Sequence, residues 1–307
     1  MSYISSPVTG KKNVTEHSRI QVKKIVDIYN KNYNFDVSEY FSGLDEITVY
    51  RCNDSGYKFY YPDSITGDAR FYQNLYGNSD NMQWAYIEDK WEHIFTKKNL
   101  VNKGSLLDIG CGGGDFLKLM SDSGCHVTGL DTNPLAHSLA NQKNLNIVND
   151  SIYSFSKGHN NSFDTITLFQ VLEHIWDVRD FLTACLSMLK PGGSLIISVP
   201  NNQSFIKHDN TLALNMPPHH VGLWERESLE NLPHYFNMEL VRTEFEPLQE
   251  MNLGWYQSLM EKKYLPDNKI FRSLYYRLGL NSYAHKWLSD NMGTIWGHTI
   301  LSVFKKI

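Results

Sequence analysis

From residue 105 onward the chain of 307 residues alternates between short apolar runs and longer amphipathic segments. SLLDIG (105–110), HVTGLD (126–131), NIVNDS (146–151), FDTITLFQ (163–170) and SLIISVPN (194–201) read as strands. The apolar stretches in them are mostly continuous rather than alternating, the mark of strands buried on both faces. DFLKLMSDSG (115–124), PLAHSLANQKN (134–144) and VRDFLTACLSML (178–189) lie between them, with apolar residues at helical spacing. Such alternation predicts a doubly wound α/β domain, its parallel strands covered by helices on both faces. NMELVRTEFEP (237–247) and GHTILSVFKKI (297–307) add two late strands. The expected sheet is therefore seven-stranded and mostly parallel, with a helical, Tyr- and Trp-rich insertion before its last strand.

Upstream the pattern differs. Residues 79–100 place Met82, Tyr86, Ile87, Trp91, Ile94 and Phe95 on one helical stripe. ITVYRC and YKFYYP flank the turn Asn53–Gly56 and predict a β-hairpin. Residues 1–34 are polar, with a helix expected through Ile20, Ile25, Val26 and Ile28 and a mobile start. Three units follow: an N-terminal segment with the hairpin (1–78), the main domain (79–249 with 297–307), and the insertion (250–296). The insertion's aromatics suit a lid or a homodimer face.

Composition narrows the class. Apolar residues make up 41% and charged residues 20%, with a net charge of −4, so nothing advertises a nucleic-acid partner. Four cysteines without a CxxC pair argue against a disulfide scaffold. No apolar run approaches the ~18 residues of a membrane span. A cytoplasmic protein without membrane insertion is expected.

The chemistry concentrates at Asp108-Ile-Gly110-Cys-Gly112-Gly-Gly114-Asp115, directly after a strand and opening a helix. Glycines there let the backbone pass close to a nucleotide-like ligand. A dinucleotide site would want glycine where Asp115 stands, and an acid at that helix start repels a pyrophosphate. No Gly-Lys-Ser/Thr follows, which excludes a phosphate-binding P-loop. An acid two residues before the first glycine favours a cationic, phosphate-free ligand instead.

LDIGCGGGDF resembles the first motif of the class I S-adenosylmethionine-dependent methyltransferases, D/E-x-G-x-G-x-G, which carry a Rossmann-like sheet. The resemblance extends over roughly 80–246 plus the last strand, and implies S-adenosyl-L-methionine as cofactor. Asp108, Gly110, Gly112 and Gly114 would cradle it. Asp131, with Thr132 beside it, would accept the ribose hydroxyls. Asp150 would take the adenine amino group, with Ser151 and Ile152 beside the ring. Gln170 would be a further cofactor contact.

For the acceptor, three histidines compete as base: His174 beside Glu173, and His219 and His220 in the loop NMPPHHVGLW (215–224). That stretch resembles ubiquinone-biosynthesis-like and sugar-modifying methyltransferases, which favours His219 or His220. Tyr72, Tyr76, Glu173 and Trp224 are expected to line the acceptor site. Related RNA methyltransferases bind a divalent ion through E-x-x-E-H plus a downstream histidine; here the first carboxylate is Gln170, which leaves Glu173, His174 and His219 or His220, and no metal is expected. VYRCNDSGYKFYYP resembles the leading module of polysaccharide- and nucleotide-sugar-pathway enzymes, with Ser55 where a second zinc cysteine would stand. The reading is O-methylation of a small or sugar-like acceptor, in surface-polysaccharide or secondary-metabolite biosynthesis. N- or C-methylation of an amino or deoxy sugar, and a catalytically inactive cofactor-binding protein, remain open.

Overall fold

The computed structural model describes residues 4–77, 90–99, 104–133, 138, 143 and 145–307, and the side chains of all these except 76 and 77. Its centre is a seven-stranded sheet. Strands β4 (Ser105–Ile109), β5 (His126–Leu130), β6 (Ile147–Val148), β7 (Phe163–Phe169) and β8 (Leu189–Pro200) run parallel. β10 (Met238–Pro247) and β11 (Trp296–Lys306) complete it, in the order β10-β11-β8-β7-β4-β5-β6. β11 is antiparallel to both neighbours. The five parallel strands coincide with the apolar runs read from the sequence, and the two late strands are present.

The chain leaves β4 toward β5 and β6, then returns to β7 on β4's other side. That reversal opens a crevice beyond the carboxyl ends of β4 and β7, where wound sheets bind ligands. Leu107, Ile166, Leu168, Leu195 and Ile197 are fully buried in the central core. Residues 190–193 form part of β8, ahead of the apolar run at 194–201. They loop out where the β7 register jumps from Phe163 opposite Leu189 to Thr165 opposite Ser194. Gly192, at φ +72°, makes that bulge without strain.

Helices α3 (Trp91–Asn99), α4 (Asp115–Ser121) and α6 (Val178–Met188) flank the sheet, and the short α7 (Arg226–Glu230) precedes β10. The expected helix over 134–144 and the start of that over 79–100 lie outside the described residues. The insertion is helical as expected, with α8 (Glu250–Tyr264), α9 (Lys269–Arg277) and α10 (Leu280–Asn291).

The N-terminal unit departs furthest from expectation. Its hairpin, β2 (Glu46–Cys52) and β3 (Lys58–Tyr61), is present. The polar start is not a loose tail: Val14–Gln21 form strand β1 on β2, and α1 (Val22–Tyr33) buries Ile25, Ile28 and Tyr29. Ile20, expected in the helix, lies in β1. β9 (Gly222–Leu223) then pairs with β3, so a strand from beyond β8 completes this smaller sheet. The unit thus grips the loop that precedes β9.

Candidate active site

The glycine turn sits at the mouth of β4. Gly110, Gly112 and Gly114 hold φ of +71°, +51° and +78°, the left-handed region that side chains avoid. A Cβ at Gly110 would collide with Val171 Cγ2. Two carboxylates flank the turn. Asp108, at 3% exposure, accepts a 2.7 Å hydrogen bond from Thr167 Oγ1. Burial raises its pKa to about 7 against the pull of that bond, and the charge on Asp131 adds to the rise. Asp131 follows β5 and accepts from the Gly112 N–H at 2.9 Å and the Asn133 N–H at 2.7 Å. These bonds aim its carboxylate across the turn. A buried acid beside a second acid is relieved by a cation and worsened by an anion. Asp115, at the helix start, is paired with Lys143, which also donates to the Gly113 carbonyl at 2.9 Å.

Other expected cofactor contacts are placed as follows. Thr132 is exposed beside Asp131. Asp150 Oδ1 accepts from the N–H of Ser151, and Ser151 caps the short helix α5 (Ile152–Phe155) by accepting from Ser154 N–H. Ile152 packs in the central core. Gln170 follows β7 at φ +55°, its backbone held by Ser198 O and its amide nitrogen buried without a hydrogen-bond partner. Strain of this kind, together with an orphaned buried donor, marks a position built for contact with something else.

On the acceptor side the three histidines read as rivals form one cluster. Ring centroids of His174, His219 and His220 are 4.6–4.8 Å apart, and one ring nitrogen from each lies within 4.8 Å of the others. Burial pushes all three pKa values down, and the charges of neighbouring imidazoles push those of His219 and His220 further, so the rings are neutral. Glu173 is 1% exposed, with both carboxylate oxygens unpartnered and 3.9 Å separating Oε1 from His220 Nε2. Burial lifts its pKa to about 8. Tyr72, on α2 (Ala69–Gly77), reaches this cluster, its hydroxyl 3.2 Å from His174 Nδ1.

The His219–His220 loop is strung between two anchors. Val221 N–H donates to the Glu173 carbonyl at 2.9 Å, which ties the loop to the turn at Leu172–His174. Tyr29 and Tyr60 hydroxyls donate to the Met216 and Asn215 carbonyls, each at 3.0 Å, which ties it to the N-terminal unit. Trp224 does not line this site. It is fully buried against Tyr57, with ring centroids 4.3 Å apart, and belongs to the central core. A bulky indole opposite an aromatic-rich hairpin is drawn into packing rather than toward a polar ligand. The Tyr76 side chain lies outside the described residues. Sequence reasoning missed Asn202 and Asn215, which hold His220 through linked amides. Their only signal was proximity to the histidine loop.

A family model described as a methyltransferase domain matches residues 80–243, more than half of the chain. The chain belongs to this family. Among curated members, the ubiquinone biosynthesis O-methyltransferase of Cronobacter sakazakii is 33% identical over 129 residues, 40% of this chain and 50% of that protein. The protein of the same name from Saccharophagus degradans is 36% identical over 107 residues, 33% and 45% respectively. The chain therefore spans about half the length of the curated relatives it matches. Solved methyltransferases are similar at lower identity. A SAM-dependent methyltransferase from Archaeoglobus fulgidus shares 20% identity over 71% of this chain and 100% of that one, with TM-score 0.47. The 1,6-didemethyltoxoflavin-N1-methyltransferase of Burkholderia thailandensis shares 14% over 83% and 97%, with TM-score 0.49. In this chain, the glycine turn and the two acids occupy the first part of the matched segment, and the histidine cluster its middle and end.

Proposed function

We propose that the protein transfers a methyl group from S-adenosylmethionine to a hydroxyl oxygen of a small, polar, sugar-like acceptor. The observation that carries this reading is the pair Asp108 and Asp131 on either side of the glycine turn. A buried acid with its pKa raised to about 7, next to a second acid, suits a cationic adenosyl compound better than any phosphate-bearing one. Asp108 faces the ammonium side, Asp131 accepts the ribose hydroxyls, and the left-handed glycines admit the ligand against bare backbone.

When bound, S-adenosylmethionine supplies a sulfonium methyl that an acceptor lone pair displaces, the sulfur keeping the bonding pair. This chain's part is alignment and proton removal. The neutral imidazoles receive the hydroxyl proton, and Tyr72 orients the acceptor beside them. Oxygen as the acceptor atom is supported by this buried, proton-accepting cluster and by the O-methyltransferase names of the relatives. A polyhydroxylated acceptor is supported by unpartnered Ser198 Oγ, Asn201 Nδ2 and Ser204 Oγ at and past the end of β8. Surface-polysaccharide or secondary-metabolite biosynthesis is the setting that the leading hairpin suggests.

The test is incorporation of label from methyl-tritiated S-adenosylmethionine across a panel of sugars, nucleotide sugars and catechols. Labelled product with an ether linkage supports the reading. Transfer to nitrogen or carbon alone, or tight cofactor binding with no turnover on any acceptor, sinks it.

A further inference from the structure

We infer that the insertion docks the protein on an anionic lipid surface, through the outer faces of α9 and α10. The inference stands apart from the methyl transfer proposed above, and this face lies beyond residues 80–243 that the family model matches.

α9 is turned inside out. The Tyr275 and Tyr276 hydroxyls donate to the two carboxylate oxygens of Glu261 on α8, at 3.1 and 2.8 Å, so its inner side is polar. Arg272 Nε adds a bond to the Pro266 carbonyl at 3.2 Å. Ile270, Leu274 and Leu278, spaced by four, form a stripe on another side, widened by Phe271. All four are exposed, Ile270 at 81%, and no residue of α9 is buried. On α10 the inner side is ordinary: Leu288 packs with Leu253 and Leu259 of α8, and His285 Nδ1 lies 2.9 Å from Gln257 Oε1. Its outer side carries Leu280, Tyr283 and Trp287 at helical spacing, all exposed, Tyr283 at 73%. α9 packs against α10, and the two stripes run on from each other through Leu278-Gly279-Leu280. Single exposed apolar residues carry no message, but seven on adjoining helices mark a contact surface.

Charge selects what covers it. Residues 262–287 hold six bases (Lys262, Lys263, Lys269, Arg272, Arg277 and Lys286) against the one acid Asp267, in a chain whose net charge is −4. None of the six makes an ion pair with a described residue. Arg277 lies three residues from Leu274, and Lys286 three from Tyr283, so bases border the apolar side chains. Short basic helices with aliphatic and aromatic residues on one face lie in a lipid interface. There the bases meet anionic headgroups while the apolar side chains enter the acyl boundary. A second copy of this chain fits worse, because symmetric pairing through one face sets these bases against themselves. A nucleic acid would answer the charge and leave the aliphatic stripe uncovered. No helix among the described residues is long and apolar enough to cross a membrane, so the docking is peripheral.

The full-length protein is sedimented with vesicles of phosphatidylcholine alone, and of phosphatidylcholine and phosphatidylglycerol at about 3:1, with and without added salt. Binding to the anionic vesicles at least about tenfold tighter than to the neutral ones, and weakened by salt, supports the inference. Lys269→Glu/Arg277→Glu/Lys286→Glu should lose about 100-fold or more in affinity for the anionic vesicles. Ile270→Ser/Leu274→Ser should also bind weakly, at unchanged charge. These positions are exposed, so both variants should keep the wild-type dichroism spectrum and thermal midpoint. Trp287 emission, read as the difference between wild type and Trp287→Phe, should shift to the blue on vesicle binding. No preference for anionic vesicles, wild-type binding by either variant, or a full blue shift retained in Trp287→Phe overturns the inference. So does a dimer that Ile270→Ser/Leu274→Ser abolishes, with no vesicle binding by the wild type, since the face would then join two subunits.

Discussion

Asp108 and Asp131, proposed to serve one ligand, differ in environment, and the difference yields two separable tests. Asp108 is buried, which pushes its pKa up to about 7, whereas Asp131 is half-buried and held by two backbone N–H groups. A bound cation stabilises the Asp108 carboxylate and so lowers its pKa in the complex. Affinity for S-adenosylmethionine is then complete above pH 7 and falls below it, by up to about tenfold per pH unit. Asp108→Asn should bind weakly at every pH and lose that slope. Calorimetric titrations from pH 8 to 5.5 check this, and a flat wild-type profile would count against an anionic Asp108 in the complex. Asp131→Ala removes charge-assisted bonds to ligand hydroxyls, about 1.5–3 kcal/mol of binding at neutral pH. An unchanged dissociation constant would remove Asp131 from the site.

At the scale of elements, the glycine turn and the strand that precedes it act as one rigid piece. An alanine at Gly110 meets two costs: a left-handed φ, about 1–2 kcal/mol, and a Cβ that runs into Val171 Cγ2. Gly110→Ala should therefore lower both stability and cofactor affinity. Removing the opposing methyls with Val171→Ala should restore part of the loss, leaving the backbone cost. Denaturant midpoints of the two single variants and the double variant measure this, and strict additivity would show that Val171 is not the obstacle. The same turn was legible from sequence because its signal is local: an apolar run, glycines at fixed spacing, then a helix. β1 was not legible, since VTEHSRIQ shows neither alternation nor apolar bulk. Its pairing with β2 and its exposed outer face make it a strand by backbone bonds alone. β9, two residues long, has no pattern to read. The histidines were each visible, but their convergence joins turns 45 residues apart and held by partners in distant elements. Trp224 misled for the same reason, because its partner Tyr57 lies in the N-terminal hairpin.

Across the whole molecule, the small sheet and the large one share a core rather than meeting at a surface. Cys52, Tyr57 and Phe59 from the hairpin pack in one continuous cluster with Leu107, Leu168, Leu195, Ile197 and Trp224. β9 belongs by chain order to the main domain and by pairing to the small sheet. The Arg179 guanidinium, on α6, donates to the Val8 and Thr9 carbonyls at 3.3 and 2.9 Å and closes the same seam. Neither sheet can open without exposing apolar surface of the other, so both should unfold in one transition. Trp224→Ala leaves a cavity at this seam and should cost about 3–5 kcal/mol. The variant should lower the midpoint reported by far-ultraviolet dichroism and that reported by tryptophan fluorescence together. Because the histidine loop hangs between the two sheets, turnover should fall in Trp224→Ala even where the protein remains folded, with cofactor affinity little changed. Two separated transitions in the wild type would show instead that the N-terminal unit is an independent domain, and would remove the link between its packing and the placement of His219 and His220.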